Sequence, residues 1–362
     1  MNIKCALPML AALLLAANQA WAFTAQGFSN PYGVAVDERT NFIFVSNVAG
    51  SLDAKDDNGF ISRLRGDGSI DNLKFIDGAA RSIDLNAPKG MAVVGTTLYV
   101  CDIDKLRAYD TTYGNHLFDV NFGNLPVQHL YDVKQGPGGV IYVADGPGNR
   151  IYKVDIPRQH EVTTLTMGDS LGQPHGLVWF PPKQVFAVAG WSSGQVTAYN
   201  RSGKMRPLPA VFLRTLEGMD ADNKGNIYVS STGLGGIYMI DKDFALHSFN
   251  TGIDSPSGIA FHKAGEQIIT ASFNGNTVES MPIGPQAATP SMEVTHTQAR
   301  PAPESTEVFA PSEDEKKTKE GEGAKPEEKS EPAEKPKAKP EATKKETEKK
   351  PEKEEKAETQ GG

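Results

Sequence analysis

Apolar residues in this chain come in short β-type stretches, and one arrangement of them recurs. A stretch opened by Gly is followed by a turn and then by an Ile/Leu-Tyr-Val-type stretch that ends in a small or acidic residue. The clearest copies pair Pro31-Tyr32-Gly33-Val34-Ala35-Val36 with Ile43-Phe44-Val45-Ser46-Asn47, and Pro88-Lys89-Gly90-Met91-Ala92-Val93 with Leu98-Tyr99-Val100-Cys101-Asp102. Four more follow, at Leu130–Val133 with Ile141–Asp145, Pro174–Val178 with Val185–Ala189, Glu217–Asp220 with Ile227–Ser230, and Pro256–Phe261 with Ile268–Ser272. In the third copy Asp132 stands where the others have Gly.

The equivalent positions 33, 90, 132, 176, 218 and 258 are spaced by 57, 42, 44, 42 and 40 residues, close to the length of a four-stranded propeller blade. A third and a fourth stretch fit within each unit, as in Arg150–Asp155 and Gly236–Asp241. The predicted fold is therefore all-β, a six-bladed β-propeller over residues 23–284. The first interval is about 15 residues longer than the others, too few for a hidden blade, so the excess is loop. The sixth unit stops near Gly284 after its third strand, Thr277 to Met281, leaving a bare edge. Phe23-Thr24-Ala25-Gln26 is the one free segment suited to cover it and is expected to close the ring.

Composition separates the ends from this body. Lys4 precedes an apolar run from Ala6 to Ala17, and Ala20-Trp21-Ala22 supplies a small-x-small cleavage pattern, so residues 1–22 read as a signal peptide cut after Ala22. The run is short for a membrane anchor, no later stretch approaches the length of a span, and the expected location is periplasmic or secreted. Cleavage leaves Cys101 as the only thiol and excludes an intrachain disulfide. After Phe309 no aromatic or branched aliphatic residue occurs, and residues 311–362 hold 16 acids and 14 lysines. Residues 285–362 are thus expected to be a disordered Lys/Glu/Pro/Ala-rich tail, a spacer that reaches a cell wall or protein partner or simply solubilises the chain. The net charge of −8 argues against nucleic acid as a partner.

Residues just before each inner strand's Gly and just after each second strand should meet at one end of the channel. The first set is Tyr32, Lys89, Tyr131, His175, Glu217 and Ser257; the second includes Asn47, Asp102, Asp104, Asp145, Trp191, Ser231 and Asn274. Tyr32, Lys89, Tyr131, Asp145 and Trp191 are the candidate binding residues for a small polar ligand, Trp191 by stacking and Lys89 as a partner for an anionic group or as a counter-ion to neighbouring acids. His175, Glu217 and Asp132 are the candidate ligands of a divalent metal, Ca, Zn or Mg; the alternative for the His is a hydrogen bond that orders adjacent loops. Trp179 is expected to pack between blades. The loop carrying Asp53, Asp56, Asp57 and Asn58 suggests calcium or, more simply, a solvated acidic turn with a hairpin at Asn58-Gly59. No nucleophile elbow or phosphate loop occurs, and Cys101 reads as a core residue.

Ala144-Asp145-Gly146-Pro147-Gly148-Asn149-Arg150-Ile151 resembles the Asp-x-x-x-Asn-Arg-Ile stretch of NHL-repeat propellers. Val45–Ser51, Asp57–Leu64 and Leu85–Ala92 resemble exported bacterial propellers of the SMP-30/gluconolactonase-like superfamily, over roughly Asn30 to Ser280. The resemblance implies a six-bladed ring with its ligand site at one mouth of the channel. In the lactonase branch a divalent metal sits there, held by an acid entering the first blade, an Asn-Asp pair in the third, an Asn-Gly in the fourth and an Asp-Gly in the fifth. Here the matching positions read Phe28-Ser29-Asn30-Pro31, Tyr131-Asp132, His175-Gly176 and Glu217-Gly218, so the lactonase set is not intact. The expected function is binding of a small molecule or protein at the channel mouth. Alternatives are a metal-dependent lactonase-like hydrolase with altered ligands, and a structural protein of envelope assemblies.

Overall fold

Each second strand is an unbroken apolar run because it is buried on both faces. Along Phe42–Asn47, Ile43 and Val45 pack toward blade six while Phe44 packs toward blade two; along Thr97–Asp102, Leu98 and Val100 face blade one while Tyr99 and Cys101 face blade three. Alternate side chains of one strand point to opposite faces, so a single strand feeds two cores. Six clusters result, one between each pair of neighbouring blades.

The computed structural model describes residues 22–80, 83–206 and 212–284. They form six four-stranded antiparallel sheets and, apart from four short 3-10 turns, contain no helix. The inner strands are Pro31–Asp37, Pro88–Val94, Leu130–Gln135, Pro174–Phe180, Leu216–Ala221 and Pro256–His262, each beside the next, with the sixth beside the first. The expected six-bladed propeller is what the chain forms. The signal peptide expected over residues 1–22 and the tail expected over 285–362 lie, Ala22 apart, outside the described residues.

The sixth sheet runs Thr24–Gln26, Thr277–Pro282, Gln267–Ser272, Pro256–His262 from rim to channel, so the segment at the start of the ring completes its last blade as expected. Ala25 pairs with Val278, the Phe23 N–H donates to Ser280 Oγ at 2.8 Å, and the Ser280 N–H donates back to Phe23 O at 2.9 Å.

The recurrent Gly has a steric cause. Each of the five Gly-bearing inner strands carries a register shift at its Gly position and there approaches its neighbour closely. A Cβ on Gly33 would lie 2.2 Å from Lys89 O, one on Gly176 2.3 Å from Glu217 O, and one on Gly258 2.6 Å from Tyr32 O. Second-strand hydroxyls stitch the same circle: Ser46 Oγ accepts from the Gly33 N–H and donates to Lys89 O, and Ser230 Oγ does likewise between Gly218 N–H and Ser257 O.

The long first interval is the loop Val48–Gly59, which joins the second and third strands of blade one. It is no tight hairpin at Asn58-Gly59, and twelve residues of it fold across the channel mouth. Leu52 packs beside Tyr32, Val48, Ala87, Ile103, Tyr131 and Phe273. Its acids do not gather: Asp53 meets His129, Asp56 accepts from Asn58 Nδ2, and the Asp57 N–H donates to Asn86 Oδ1.

Candidate functional site

The entry end of the channel, where the inner strands begin, gathers side chains from five blades. Tyr32, Tyr131, His175 and Glu217 line a cavity of about 10 Å³, on the order of one water molecule. Glu217 is its polar centre, since one carboxylate oxygen accepts from the Tyr32 hydroxyl and lies 2.9 Å from His175 Nδ1. Burial and the Glu217 charge hold the Tyr32 phenol well above its ordinary pKa.

An aromatic stack leads outward from this pair. The Tyr131 and His175 rings lie 3.6 Å apart at 12°, and the Trp191 ring lies 5.4 Å beyond His175 at 21°. Trp191, 37% exposed, presents the outer end of the stack to solvent. Gly146 makes room for it, because a Cβ there would meet Tyr131 at 2.9 Å and His175 at 3.1 Å. Phe273 and Tyr131 flank Tyr32 at 6.2 and 6.3 Å between ring centroids.

Lys89 enters the same mouth from blade two and is fully buried beneath the loop. Its ammonium donates to Leu52 O at 2.9 Å and Ala87 O at 3.2 Å and stands 5.4 Å from the Tyr131 ring centroid. No carboxylate among the described residues lies within ion-pair distance of it, and Glu217 acts on it only from farther off. Burial brings its pKa down to about 8 against the upward pull of Asp102 and Asp53.

Three expected members, Asp145, Asp102 and Asn47, hold the chain entering their own blades. Asp145 is buried and does not reach the mouth: it accepts from the backbone N–H groups of Gln128, His129 and Gly148 and pins the chain entering its own inner strand. Asp102 accepts from Asn86, Ala87 and Arg107, and Asn47 from the Ser29 N–H, in the same capacity. Ser231 donates to Arg214 O. Of that second set, Trp191 is the member that joins the stack, while Asp104 pairs with Lys55 of the covering loop at 2.7 Å and Asn274 donates to Ser255 Oγ.

Asp132 lines the same narrow cavity as His175 and Glu217, but its carboxylate is engaged by backbone amides. Its two oxygens accept from the Val133 N–H at 2.9 Å and the Leu177 N–H at 3.0 Å, so it braces blade three to blade four in place of the missing Gly. Burial raises its carboxyl to about 7. The three expected metal ligands share this cavity, and no group of three His, Cys, Asp or Glu side chains able to hold a metal occurs among the described residues. The thiol of Cys101 is buried, which pushes its pKa up, consistent with a core role.

His129 was not legible as a member of the mouth. Its Nδ1 lies 3.1 Å from Asp53 of the covering loop, its ring is 4.9 Å from that of Tyr131, and its buried Nε2 has no hydrogen-bond partner. Burial and the nearby Lys89 bring its pKa down to about 4 despite Asp53.

The exit end opens into a wider funnel of about 380 Å³. Val36, Val93, Val178, Trp179 and Phe261 line it with Asp220 and Lys134. Lys134 lines both cavities and stands between them, donating to Ile259 O at 3.2 Å and lying 3.8 Å from Asp220. Trp179 packs on Phe186 in the cluster between blades three and four, as expected, and carries Arg201 over its ring.

No protein-family model matches the chain, and no curated protein matches it in sequence. Among solved structures it is similar to XC5397 from Xanthomonas campestris, a gluconolactonase, with a TM-score of 0.59 and 18% identity over 77% of this chain and 95% of that one. It is also similar to a streptogramin B lyase, with a TM-score of 0.52 and 14% identity over 72% of this chain and 96% of that one. At this identity the likeness is one of fold. It establishes a propeller related in architecture to a gluconolactonase, and a fold compatible with enzymes.

Proposed function

We propose that this chain is an exported propeller that binds a small planar, polar molecule at the entry mouth of its channel. The observation that carries the reading is the Tyr131–His175–Trp191 stack, which ends in a half-exposed indole and is anchored by the hydrogen bond from His175 to Glu217. Aromatic faces supply contact area with little rotamer loss, and the convergent polar groups beneath them supply orientation. Lys4, the Ala6–Ala17 run and Ala20-Trp21-Ala22 support export, and among the described residues no helix is long and apolar enough to cross a membrane. The charged segment that follows the ring serves as a spacer toward an envelope partner. A lactonase-type hydrolase would draw on His175, Glu217 and Asp132 together, and the engagement of both Asp132 oxygens by backbone amides favours binding over that reading.

The test is a thermal-shift screen of the mature chain against planar polar metabolites, because a ligand that binds only the folded state raises Tm. Binders are expected to raise Tm in the wild type and to lose most of that effect in Trp191→Ala. Equal stabilisation of both proteins by every binder overturns the assignment of the mouth.

A further inference from the structure

The covering loop is fastened to the ring in an uneven way. Its ends are tied by backbone hydrogen bonds, Val48 N–H to Asn30 O, Ala49 N–H to Ser29 O and Gly59 N–H to Leu85 O. Between them, its links to the ring are made through side chains. Ala49 and Asp57, close to the two ends, take left-handed backbone angles of φ 56° and 54°, a conformation that is unfavourable for a residue other than glycine.

What the middle of the loop delivers is two acceptors to two buried donors. Leu52 offers its carbonyl to Lys89, and the next residue, Asp53, offers its carboxylate to His129. Among the described residues no carboxylate lies within ion-pair distance of Lys89 and only Asp53 lies within that distance of His129, with Asp102, Glu217 and Asp104 acting from farther off; Lys89 is fully buried and His129 is 7% exposed. A buried ammonium held only by carbonyl groups is costly unless an anion arrives or the amine gives up its proton. A neutral imidazole facing a carboxylate carries its proton on that side, so His129 also presents an N–H in need of an acceptor.

We propose that Lys89 and His129 form a subsite for a small organic carboxylate, and that Leu52 and Asp53 hold its place until a ligand displaces them. The inference rests on the mouth being the binding site and gives its ligand a chemical class: an acid whose planar part meets the Tyr131–His175–Trp191 stack. Displacement requires the loop to open, so the apparent affinity of the resting protein is lowered by the fraction of molecules in which it is closed. Asp53, which is largely exposed, is the removable part of the plug.

The test uses the mature chain with benzoate as probe and benzamide as its uncharged counterpart, followed by equilibrium dialysis. Asp53→Ala is expected to tighten benzoate by about tenfold or more, a shift of ~1.4 kcal/mol, and to leave benzamide unchanged. Adding Lys89→Met, which replaces a buried cation by an apolar chain of similar length, is expected to remove that gain. Hydrogen exchange of the amides between residues 50 and 57 is expected to speed up in Asp53→Ala, independently of any ligand.

If benzoate and benzamide bind alike and both are lost in Trp191→Ala, the carboxylate subsite falls while the mouth stands. If neither binds Asp53→Ala, or the loop amides exchange at the wild-type rate, the subsite falls and the metabolite screen alone decides the mouth. A benzoate gain that survives Lys89→Met overturns the role of Lys89.

Discussion

At the scale of single residues, the chemistry is set by who supplies the hydrogen bonds to a buried polar group. Asp132 and Glu217 are both buried acids of inner strands, yet they do different work. Each Asp132 oxygen accepts from a backbone amide of the scaffold, while Glu217 turns to Tyr32 and His175 at the mouth. Asp132 also makes a pH prediction. Its carboxyl is raised by burial to about 7, above its value in an unfolded chain, so the folded state holds an extra proton between about 4 and 7. The stability it contributes is fully present below about 4 and is lost as pH rises toward 7. The stability of Asp132→Asn relative to wild type should therefore rise between about pH 4 and 7 by on the order of 2–4 kcal/mol, on top of a constant cost for the acceptor that Asn lacks. Urea denaturation of both proteins at several pH values checks it, and a pH-independent difference refutes it. The same scale explains what the sequence concealed. Asp145 and His129 are near neighbours in space, but no pattern shows that one carboxylate is consumed by backbone amides and that the other side chain meets a loop from blade one.

At the scale of strands and loops, periodicity carried most of the information. The Gly of the repeat marks the point where inner strands crowd the channel, and the second-strand apolar run marks burial on both faces. Both were readable because the same steric demand recurs from blade to blade, Asp132 of blade three being the exception to the Gly. Gly176→Ala tests it: with Glu217 O only 2.3 Å from the added methyl, the neighbouring strand must shift. Destabilisation of about 1–3 kcal/mol by urea unfolding is expected, and an unchanged midpoint would show that the ring is looser than the geometry states. The excess length of the first unit was visible as a loop, but its path over the mouth was not, since that path depends on Leu52 packing among residues of several blades. The acidic ends of the second strands of blades two and three were readable as positions, and their hydrogen bonds were not. Asp102 and Asp145 fold back onto their own blades instead of facing a ligand.

At the scale of the whole molecule, ring closure joins the first described strand to the last blade. Deleting residues 23–26 would strip Ala25 and Phe23 from the core between blades six and one and expose the Thr277–Pro282 edge. Lower Tm and concentration-dependent self-association in sedimentation are expected; a monomer with unchanged Tm would mean that closure adds nothing. The closed ring is also what brings Tyr32, Lys89, Tyr131, His175 and Glu217, spread over 185 residues of chain, to one mouth. Its two ends are chemically distinct, and each carries one of the two tryptophans that follow residue 22, Trp191 at the entry mouth and Trp179 at the exit funnel. The indole N–H resonances of these residues, assigned by Trp179→Phe and Trp191→Phe, report separately on the two ends. Titrated with a ligand from the metabolite screen, the Trp191 signal is predicted to move while the Trp179 signal stays in place. Movement of Trp179 alone would put the ligand in the funnel and contradict the account.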